Sequence, residues 1–224
     1  MVKYKIINGE GIIPNGTTKI GEWAFEGCKE LTSITIPESV TKIGDYAFRG
    51  CKALTNITIP ESVTEIDRGA FAVCSGLTCV KIPNSVTKIG DYAFNWCENL
   101  TSIIVAEENK VYDSRDNCNA IIYTYINCLI QGCNNTVIPD SVTGIGNGAF
   151  SGCTALTSIN IPDSVTKIGD YAFSGCTALT CINIPDSVRM FGGWAFKGCK
   201  ALTSINIPNS VTKIGDEAFW GCEA

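Results

Sequence analysis

The chain has 224 residues, of which 45% are hydrophobic and 17% charged, and its formal net charge is −5. This composition excludes an intrinsically disordered chain and allows a sizeable core. An acidic balance argues against nucleic-acid binding, which needs a basic face. The sequence has no run of about 18 apolar residues that would span a membrane. Its start, MVKYKIINGEG, lacks the apolar segment of a signal peptide.

Histidine is absent, whereas cysteine occurs 13 times. The absence of histidine excludes Ser-His-Asp and Cys-His catalysis and mixed Cys/His zinc sites. The sequence also lacks a C-x-x-C pair and a glycine-rich phosphate-binding loop. We therefore expect no catalytic residue, no metal ligand and no cofactor, although chemistry by carboxylates alone stays open.

The first predicted element is a short strand at the amino terminus. Residues Lys3 to Ile7 precede the first Ile13-Pro14 pair. They are predicted to pair as a capping strand within residues 1–13, because terminal repeats of a repeat array need a seal over the core.

A repeated unit follows and continues to the end of the chain. All eight prolines share one phase: Pro14, Pro37, Pro60, Pro83, Pro139, Pro162, Pro185 and Pro208. An Ala-Phe pair followed by a cysteine shares another, with cysteines Cys28, Cys51, Cys74, Cys97, Cys153, Cys176, Cys199 and Cys222. The step is 23 residues, and it is 56 between Cys97 and Cys153. We predict one solenoid domain over residues 1–224.

One unit predicts the local structure of a coil. Apolar and polar residues alternate from Leu31 to Pro37, which predicts a short strand ended by the proline. A bend is expected at Gly44-Asp45, and the spacing of Ala47, Phe48 and Cys51 favours a short helical turn. The fold class is therefore an α/β repeat solenoid: about nine coils in a curved rod, with a parallel sheet of short strands.

The stretch over residues 106–133 is irregular, because Ala106 replaces the proline and ten residues are added. Two apolar runs, Ala120 to Tyr123 and Cys128 to Ile130, flank a polar connection. This pattern predicts a β-hairpin. Insertions in solenoids often map to a binding side, but a structural spacer coil is the favoured interpretation.

Three oxygen-bearing residues in this stretch are candidate calcium ligands: Asp113, Asp116 and Asn117. Their spacing is not that of an EF-hand loop, and the glycine of that loop is missing. Arg115 lies between them and would repel a cation. We therefore predict no metal site here.

The unit LTSITIPESVTKIGDYAFRGC resembles the leucine-rich repeat of bacterial BspA-like, Treponema-type proteins, over nearly the whole chain. It departs from the general leucine-rich pattern at Ser39, which stands where asparagine is usual, so an asparagine ladder is not expected. The resemblance implies a parallel-sheet solenoid. It also implies non-catalytic binding or adhesion to host proteins such as fibronectin and fibrinogen, from the cell surface or as a secreted protein.

Other interpretations stay open. The chain carries no export signal, which leaves a cytoplasmic interaction protein as the alternative. It ends at Cys222-Glu223-Ala224, before the leucine of a further strand and without a polar cap. This ending suggests either a fragment of a longer array or a structural module that self-associates through its open carboxyl-terminal end.

The outward positions of the predicted strands form the candidate protein-binding face, which we expect to be concave. Its residues are Ser33, Thr35, Asn56, Thr58, Lys81, Ser102, Ser158, Asn160, Asn183, Ser204 and Asn206. They offer a shallow polar groove to a protein ligand. Binding sites usually carry aromatic and arginine anchors, which are scarce here. The favoured alternative is that short polar side chains are simply tolerated at close coil spacing.

A second recurring phase is aromatic, and we name it the aromatic stripe: Trp23, Tyr46, Tyr92, Tyr171 and Trp194. Stacked rings could hold carbohydrate or another protein. The favoured interpretation is that each ring covers the backbone of its neighbour.

The cysteines fall into two groups. Those beside the phenylalanines are predicted to be buried thiols, because their surroundings are apolar. Cys79 and Cys181 instead occupy outward positions of strands and are predicted to be the more reactive thiols.

Overall fold

The structure, a computed structural model, describes residues 4–223, so Lys3 of the predicted capping strand lies outside it. The chain divides into two compact units, Met1–Tyr112 and Asp113–Ala224. Each unit is a β-solenoid in which strands of successive coils pair in parallel, 23 residues apart. The predicted parallel-sheet solenoid is therefore confirmed within each unit.

The first unit contains ten short strands within its described residues, two to four residues long. In chain order they are β1 (Lys5–Ile7), β2 (Glu10–Ile12), β3 (Lys19–Ile20), β4 (Ser33–Ile34), β5 (Lys42–Ile43), β6 (Asn56–Ile57), β7 (Glu65–Ile66), β8 (Cys79–Ile82), β9 (Lys88–Ile89) and β10 (Ser102–Val105), and β11 (Tyr112–Asp113) crosses the division between the units. Strand β1 pairs antiparallel with β2.

These strands form two sets of parallel pairs on two sides of the coil. The front strands are β2 with β4, and β6 with β8 and β10. The side strands are β3, β5, β7 and β9, which form one four-stranded sheet. Each coil therefore contributes one front strand and one side strand.

The second unit begins with a hairpin and continues with the same two sets. Its strands are β12 (Ile121–Tyr123), β13 (Cys128–Gln131), β14 (Gly144–Ile145), β15 (Ser158–Asn160), β16 (Lys167–Ile168), β17 (Cys181–Asn183), β18 (Met190–Phe191) and β19 (Lys213–Ile214). Two 3-10 helices cover Arg115–Asn117 and Thr124–Ile126. Strand β12 pairs antiparallel with β13. The side strands are β13, β14, β16, β18 and β19, and the front strands are β15 and β17.

The predicted short helical turn at each Ala-Phe pair is wrong. In the first coil the Phe25 N–H donates to the Ala47 oxygen of the next coil at 2.7 Å, while the Glu26 N–H donates back to the Trp23 oxygen at 3.1 Å. Trp23 has a φ of 53°, in the left-handed region. Bonds to the next coil thus alternate with β-turn bonds, and the positive φ breaks any helical run.

The core of each unit is a stack of phenylalanine rings. Successive rings are parallel, with centroids 5.1 to 5.4 Å apart and planes within 5°. The stacked rings are Phe25, Phe48, Phe71 and Phe94 in the first unit, and Phe150, Phe173, Phe196 and Phe219 in the second. Tyr4 extends the first stack at 5.1 Å from Phe25. Such ring pairs contribute about 1 kcal/mol each beyond area burial.

The recurring cysteines join this core as hydrogen-bond donors. The Cys51 Sγ donates to the Phe25 oxygen at 3.1 Å, and the Cys176 Sγ donates to the Phe150 oxygen at 3.2 Å. The same bond is made by Cys74, Cys97, Cys199 and Cys222. All 13 cysteines lie within residues 4–223 and are present as thiols. Burial raises the pKa of the Cys51 and Cys176 thiols, which keeps them protonated at neutral pH.

Candidate functional site

The front strands present the candidate face in register. Asn56 pairs with Cys79 and Cys79 with Ser102 in the first unit, and Asn160 pairs with Asn183 in the second. The alternate residues of these strands, such as Ile57 and Val80, are buried. Alternation therefore turns the predicted residues outward. The exposed ones are Ser33, Thr35, Asn56, Thr58, Lys81, Ser158, Asn160, Asn183, Ser204 and Asn206, and Ser102 is half-buried.

The polar groups of this face are available for a ligand. Among residues 4–223, the side chains of the face make no hydrogen bond except one, from Asn56 Nδ2 to Thr55 Oγ1 at 3.5 Å. The face thus combines exposed hydroxyl and amide groups with a parallel-stranded backbone. Such a surface can donate and accept hydrogen bonds in register with a partner.

Many other recurring serine and threonine side chains join the coils, although the buried Ser210 Oγ of the last coil has no hydrogen-bond partner in the described part of the chain. The Ser62 Oγ donates to the Val40 oxygen at 2.8 Å, and the Thr64 Oγ1 donates to the Thr41 oxygen at 3.2 Å. Ser39, Ser85, Ser164 and Ser187 make the serine bond at 2.6 to 2.8 Å. Serine thus makes the bonds between coils at the position where the general leucine-rich pattern has asparagine.

The recurring aspartates also join coils, a role that the sequence analysis missed. The Asp170 Oδ1 accepts a hydrogen bond from the Gly193 N–H at 2.8 Å. The Asp45 Oδ1 accepts one from the Arg68 N–H at 3.0 Å. Asn147 occupies the same phase and accepts from the Asp170 N–H at 3.0 Å, so an amide oxygen serves equally well.

Ion pairs line the side strands of the first unit. Lys42 Nζ lies 2.6 Å from Glu65 Oε2 and 3.0 Å from Asp67 Oδ2. The hydrogen bond to Glu65 raises the pKa of Lys42, and the same bond lowers the pKa of Glu65. Lys88 Nζ lies 3.6 Å from Glu65 Oε2. Because these groups are partly exposed, the pairs contribute little to stability.

The aromatic stripe is discontinuous. Its residues occupy left-handed backbone positions, with φ of 53° to 61°. Trp23 stacks on Tyr46 at 6.4 Å, and Tyr171 stacks on Trp194 at 5.1 Å. The Tyr46 ring lies over Gly69, where an added Cβ would meet ring carbons at 2.5 Å. The guanidinium of Arg68 lies 5.9 Å from the centre of the Tyr92 ring.

The two thiols predicted to be reactive lie on the front strands. Cys181 is exposed and Cys79 is half-buried. Cys79 pairs with Asn56 and Ser102, and Cys181 pairs with Ser158. Their reactivity remains a prediction.

The acidic stretch considered for calcium is already held by an arginine. Arg115 Nη2 donates to Asp113 Oδ2 at 2.6 Å, and this pairing raises the pKa of Arg115. Arg115 Nη1 also donates to Asn127 Oδ1 at 3.0 Å. Over residues 4–223, no three His, Cys, Asp or Glu side chains come together as metal ligands. In the same span, no helix has the length and apolar character to cross a membrane.

Comparison with known proteins agrees with this geometry. The BspA type leucine rich repeat region matches residues 8–121 and 120–224, with 6 copies. A leucine rich cell surface protein from Faecalibacterium prausnitzii is 32% identical, with a TM-score of 0.68, over 92% of this chain and 67% of that chain. The pneumococcal vaccine antigen PcpA is 25% identical, with a TM-score of 0.76, over 88% of this chain and 50% of that chain. No curated protein sequence matches the chain.

The family match covers both units, and it confirms the resemblance found in the sequence. The chain spans two thirds of the chain of one solved relative and half of the other. The chain belongs to the BspA-type leucine-rich repeat family.

Proposed function

We propose that this protein is a non-catalytic scaffold that binds a protein ligand through the candidate protein-binding face of its front strands, which we call the front face. One observation carries the proposal: recurring serines and threonines such as Ser62 and Thr64 donate hydrogen bonds to the neighbouring coil, whereas those of the front face are exposed and make no such bond. Polar groups with free hydrogen-bonding capacity are what a partner can recognise.

The family resemblance suggests the kind of ligand and its location. The Faecalibacterium prausnitzii relative is described as a cell surface protein. By analogy, we propose that this chain acts at the cell surface or after secretion and binds a host extracellular-matrix protein. A cytoplasmic interaction protein is the alternative proposal, to be separated by locating the protein in fractionated cells.

Binding to immobilised fibronectin and fibrinogen tests the proposal. The variant Ser158→Arg/Asn183→Arg places two long charged side chains on the front face of the second unit, where both residues are exposed. Its matched control, Thr177→Arg/Asn209→Arg, adds the same charge at exposed positions outside the front strands. We expect saturable binding that the front-face variant loses by tenfold or more, about 1.4 kcal/mol, and that the control retains.

Two outcomes would contradict this proposal. Equal loss in both double variants would show a charge effect without a site. Saturable binding that survives the front-face change would move the site to another surface, such as the irregular stretch. A failure of both ligands to bind would remove fibronectin and fibrinogen as partners.

A second candidate function is self-association through the last coil. Ile207 and Ile214 are 36% and 48% exposed, whereas the equivalent Ile184 and Ile168 are 3% and 0% exposed. Apolar surface of this kind is stabilised when a further repeat covers it. A mass that rises with concentration in sedimentation, and that Ile207→Lys abolishes, would support this candidate. A constant monomer mass would remove it.

A further inference from the structure

One coil of the second unit departs from the repeat at successive positions. Where the preceding coil reads Thr-Lys-Ile-Gly-Asp-Tyr over 166–171, this coil reads Arg-Met-Phe-Gly-Gly-Trp over 189–194. Glycine at 193 replaces the aspartate that bonds to the next coil. The changes remove a lysine and an aspartate, add an arginine at 189, and introduce three larger apolar side chains, Met190, Phe191 and Trp194.

These substitutions open a cavity of about 310 Å³ on the side strands. Gly193 leaves a gap between Asp170 in the preceding coil and Asp216 in the following coil, both of which line the cavity. Met190, Trp194 and Ile214 supply its apolar wall. We call this cavity the Gly193 notch.

The notch has hydrogen-bond acceptors to spare but few donors. Four backbone N–H groups around it are engaged: Gly192 with the Ile168 oxygen, Gly193 with Asp170 Oδ1, Trp194 with the Asp216 oxygen, and Gly215 with the Phe191 oxygen. The Asp216 N–H lacks the side-chain acceptor that an aspartate at position 193 would supply. The indole N–H of Trp194 donates to Glu217 Oε2 at 2.8 Å. The carboxylates of Asp170 and Asp216 retain accepting capacity. The surplus of carboxylate acceptors favours a ligand that donates.

The wall of the notch suits an aliphatic stem with a cationic head. The Trp194 ring is fixed by stacking on Tyr171 at 5.1 Å, with planes 10° apart. Ile214 is 48% exposed and Phe191 closes the floor without exposure. An aromatic face beside carboxylates attracts a cation, and apolar walls favour its methylenes. Lys213 also lines the notch, and its positive charge opposes the binding of a cation.

We propose that the Gly193 notch binds the side chain of a lysine or arginine on a protein partner. The net charge of −5 also favours a basic partner. The notch is formed by side strands, so its occupancy does not depend on the front face. The inference rests on the proposed function, a scaffold that binds a protein. It adds the kind of side chain by which the partner would be anchored.

Titration with small probes tests this site directly. Nα-acetyl-lysine amide and Nα-acetyl-arginine amide are added to 15N-labelled protein, and the indole resonance of Trp194 is followed, assigned with Trp194→Phe. Nα-acetyl-norleucine amide has the stem without the charge. We expect saturable shifts with the two cationic probes and affinity at least about threefold weaker for norleucine, since exposed ion pairs and cation–π contacts are of that size.

Two variants and a control make the test specific. Gly193→Asn fills the gap, and Asn147 shows that asparagine fits this phase of the repeat. An added Cβ at position 193 would lie 3.3 Å from the Asp216 oxygen, so only a small adjustment is needed. We expect Gly193→Asn to abolish the shifts. Asp170→Asn should weaken the cationic probes about threefold, while Asp45→Asn, the same change in the first unit, should leave them unchanged.

The proposal is overturned if Gly193→Asn binds the lysine probe as the parent does, or if norleucine binds as tightly as lysine. It is also overturned if no probe gives a saturable shift. Because these probes contain no protein surface, their result is independent of fibronectin and fibrinogen. Lys213→Met, which removes the opposing charge, should strengthen cationic binding.

Discussion

Each regular coil has two residues in the left-handed backbone region. A residue other than glycine at these positions costs free energy. The position before each core cysteine is usually glycine, as at Gly27 and Gly50, with φ of 70° and 74°. Val73 and Trp96 occupy the same position with φ of 61° and 60°. A β-branched side chain is strained in this region, because its Cβ crowds the following carbonyl oxygen.

Replacing Val73 by glycine should therefore stabilise the first unit. The Val73→Gly variant relieves about 1 kcal/mol of strain, net of the entropy that glycine loses on folding. The midpoint of urea unfolding should rise. Ala72→Gly, at a neighbouring position without a positive φ, should lower it. A lower midpoint for Val73→Gly would show that the valine packs better than its backbone geometry implies.

At the scale of the coil, some elements can be read from the sequence and others cannot. The front strand is predictable because Leu31, Ile34 and Ile36 alternate with polar residues. The side strand is two residues long, as at Lys42–Ile43, which is too short for a period. The sequence led to the wrong prediction of a helical turn at the Ala-Phe segment, because the spacing of one turn of helix also fits consecutive β-turns. Only the bonds to the next coil separate them.

The serine bonds between coils should have a measurable effect on stability. Ser62→Ala removes the bond from Ser62 Oγ to the Val40 oxygen and leaves the carbonyl of the buried Val40 with one partner fewer. We expect the free energy of unfolding to fall by about 1 kcal/mol. Ser33→Ala, on the exposed front face, should change it by less than about 0.5 kcal/mol. Equal effects in urea unfolding would contradict the distinction between joining serines and face serines.

At the scale of the whole molecule, the outward residues were predictable but the notch was not. Alternation placed Ser158 and Asn183 on the front face without further knowledge. The Gly193 notch depends on a side chain that is missing between two neighbours 23 residues away on either side. Aligning the 23-residue repeats position by position reveals that glycine replaces aspartate at position 193. The cavity becomes apparent only once the coils are stacked in register.

The buried thiols act together on the stability of both units. Burial raises the pKa of Cys199 from 9.0 to about 12, and Cys51, Cys74, Cys153 and Cys176 are raised in the same direction. Below pH 9 the thiols are protonated in folded and unfolded chains alike. Above it the unfolded chain loses protons first, so folding stability falls as the pH rises towards 12.

Urea unfolding under reducing conditions should show this alkaline loss. At about pH 10, ionisation of each such thiol in the unfolded chain lowers the free energy of unfolding by about 1 kcal/mol relative to neutral pH. Cys199→Ala removes one contribution, so its stability should decline less steeply between neutral pH and that value. Lysines and tyrosines titrate over the same range in both proteins and cancel in the comparison. Parallel pH profiles would show that Cys199 is not protected from ionisation by burial.

The spacing of the bonds between coils has an evolutionary consequence. Backbone, serine and threonine bonds join residues 22 to 24 apart, as from Ser62 to Val40, from Thr64 to Thr41 and from Gly44 to Ile20. Removing one whole repeat from the gene brings equivalent donors and acceptors together again, because each coil offers the same groups to its neighbour. Unequal recombination between repeats can therefore lengthen or shorten such an array in a single step, whereas a deletion of any other length displaces every bond across the junction.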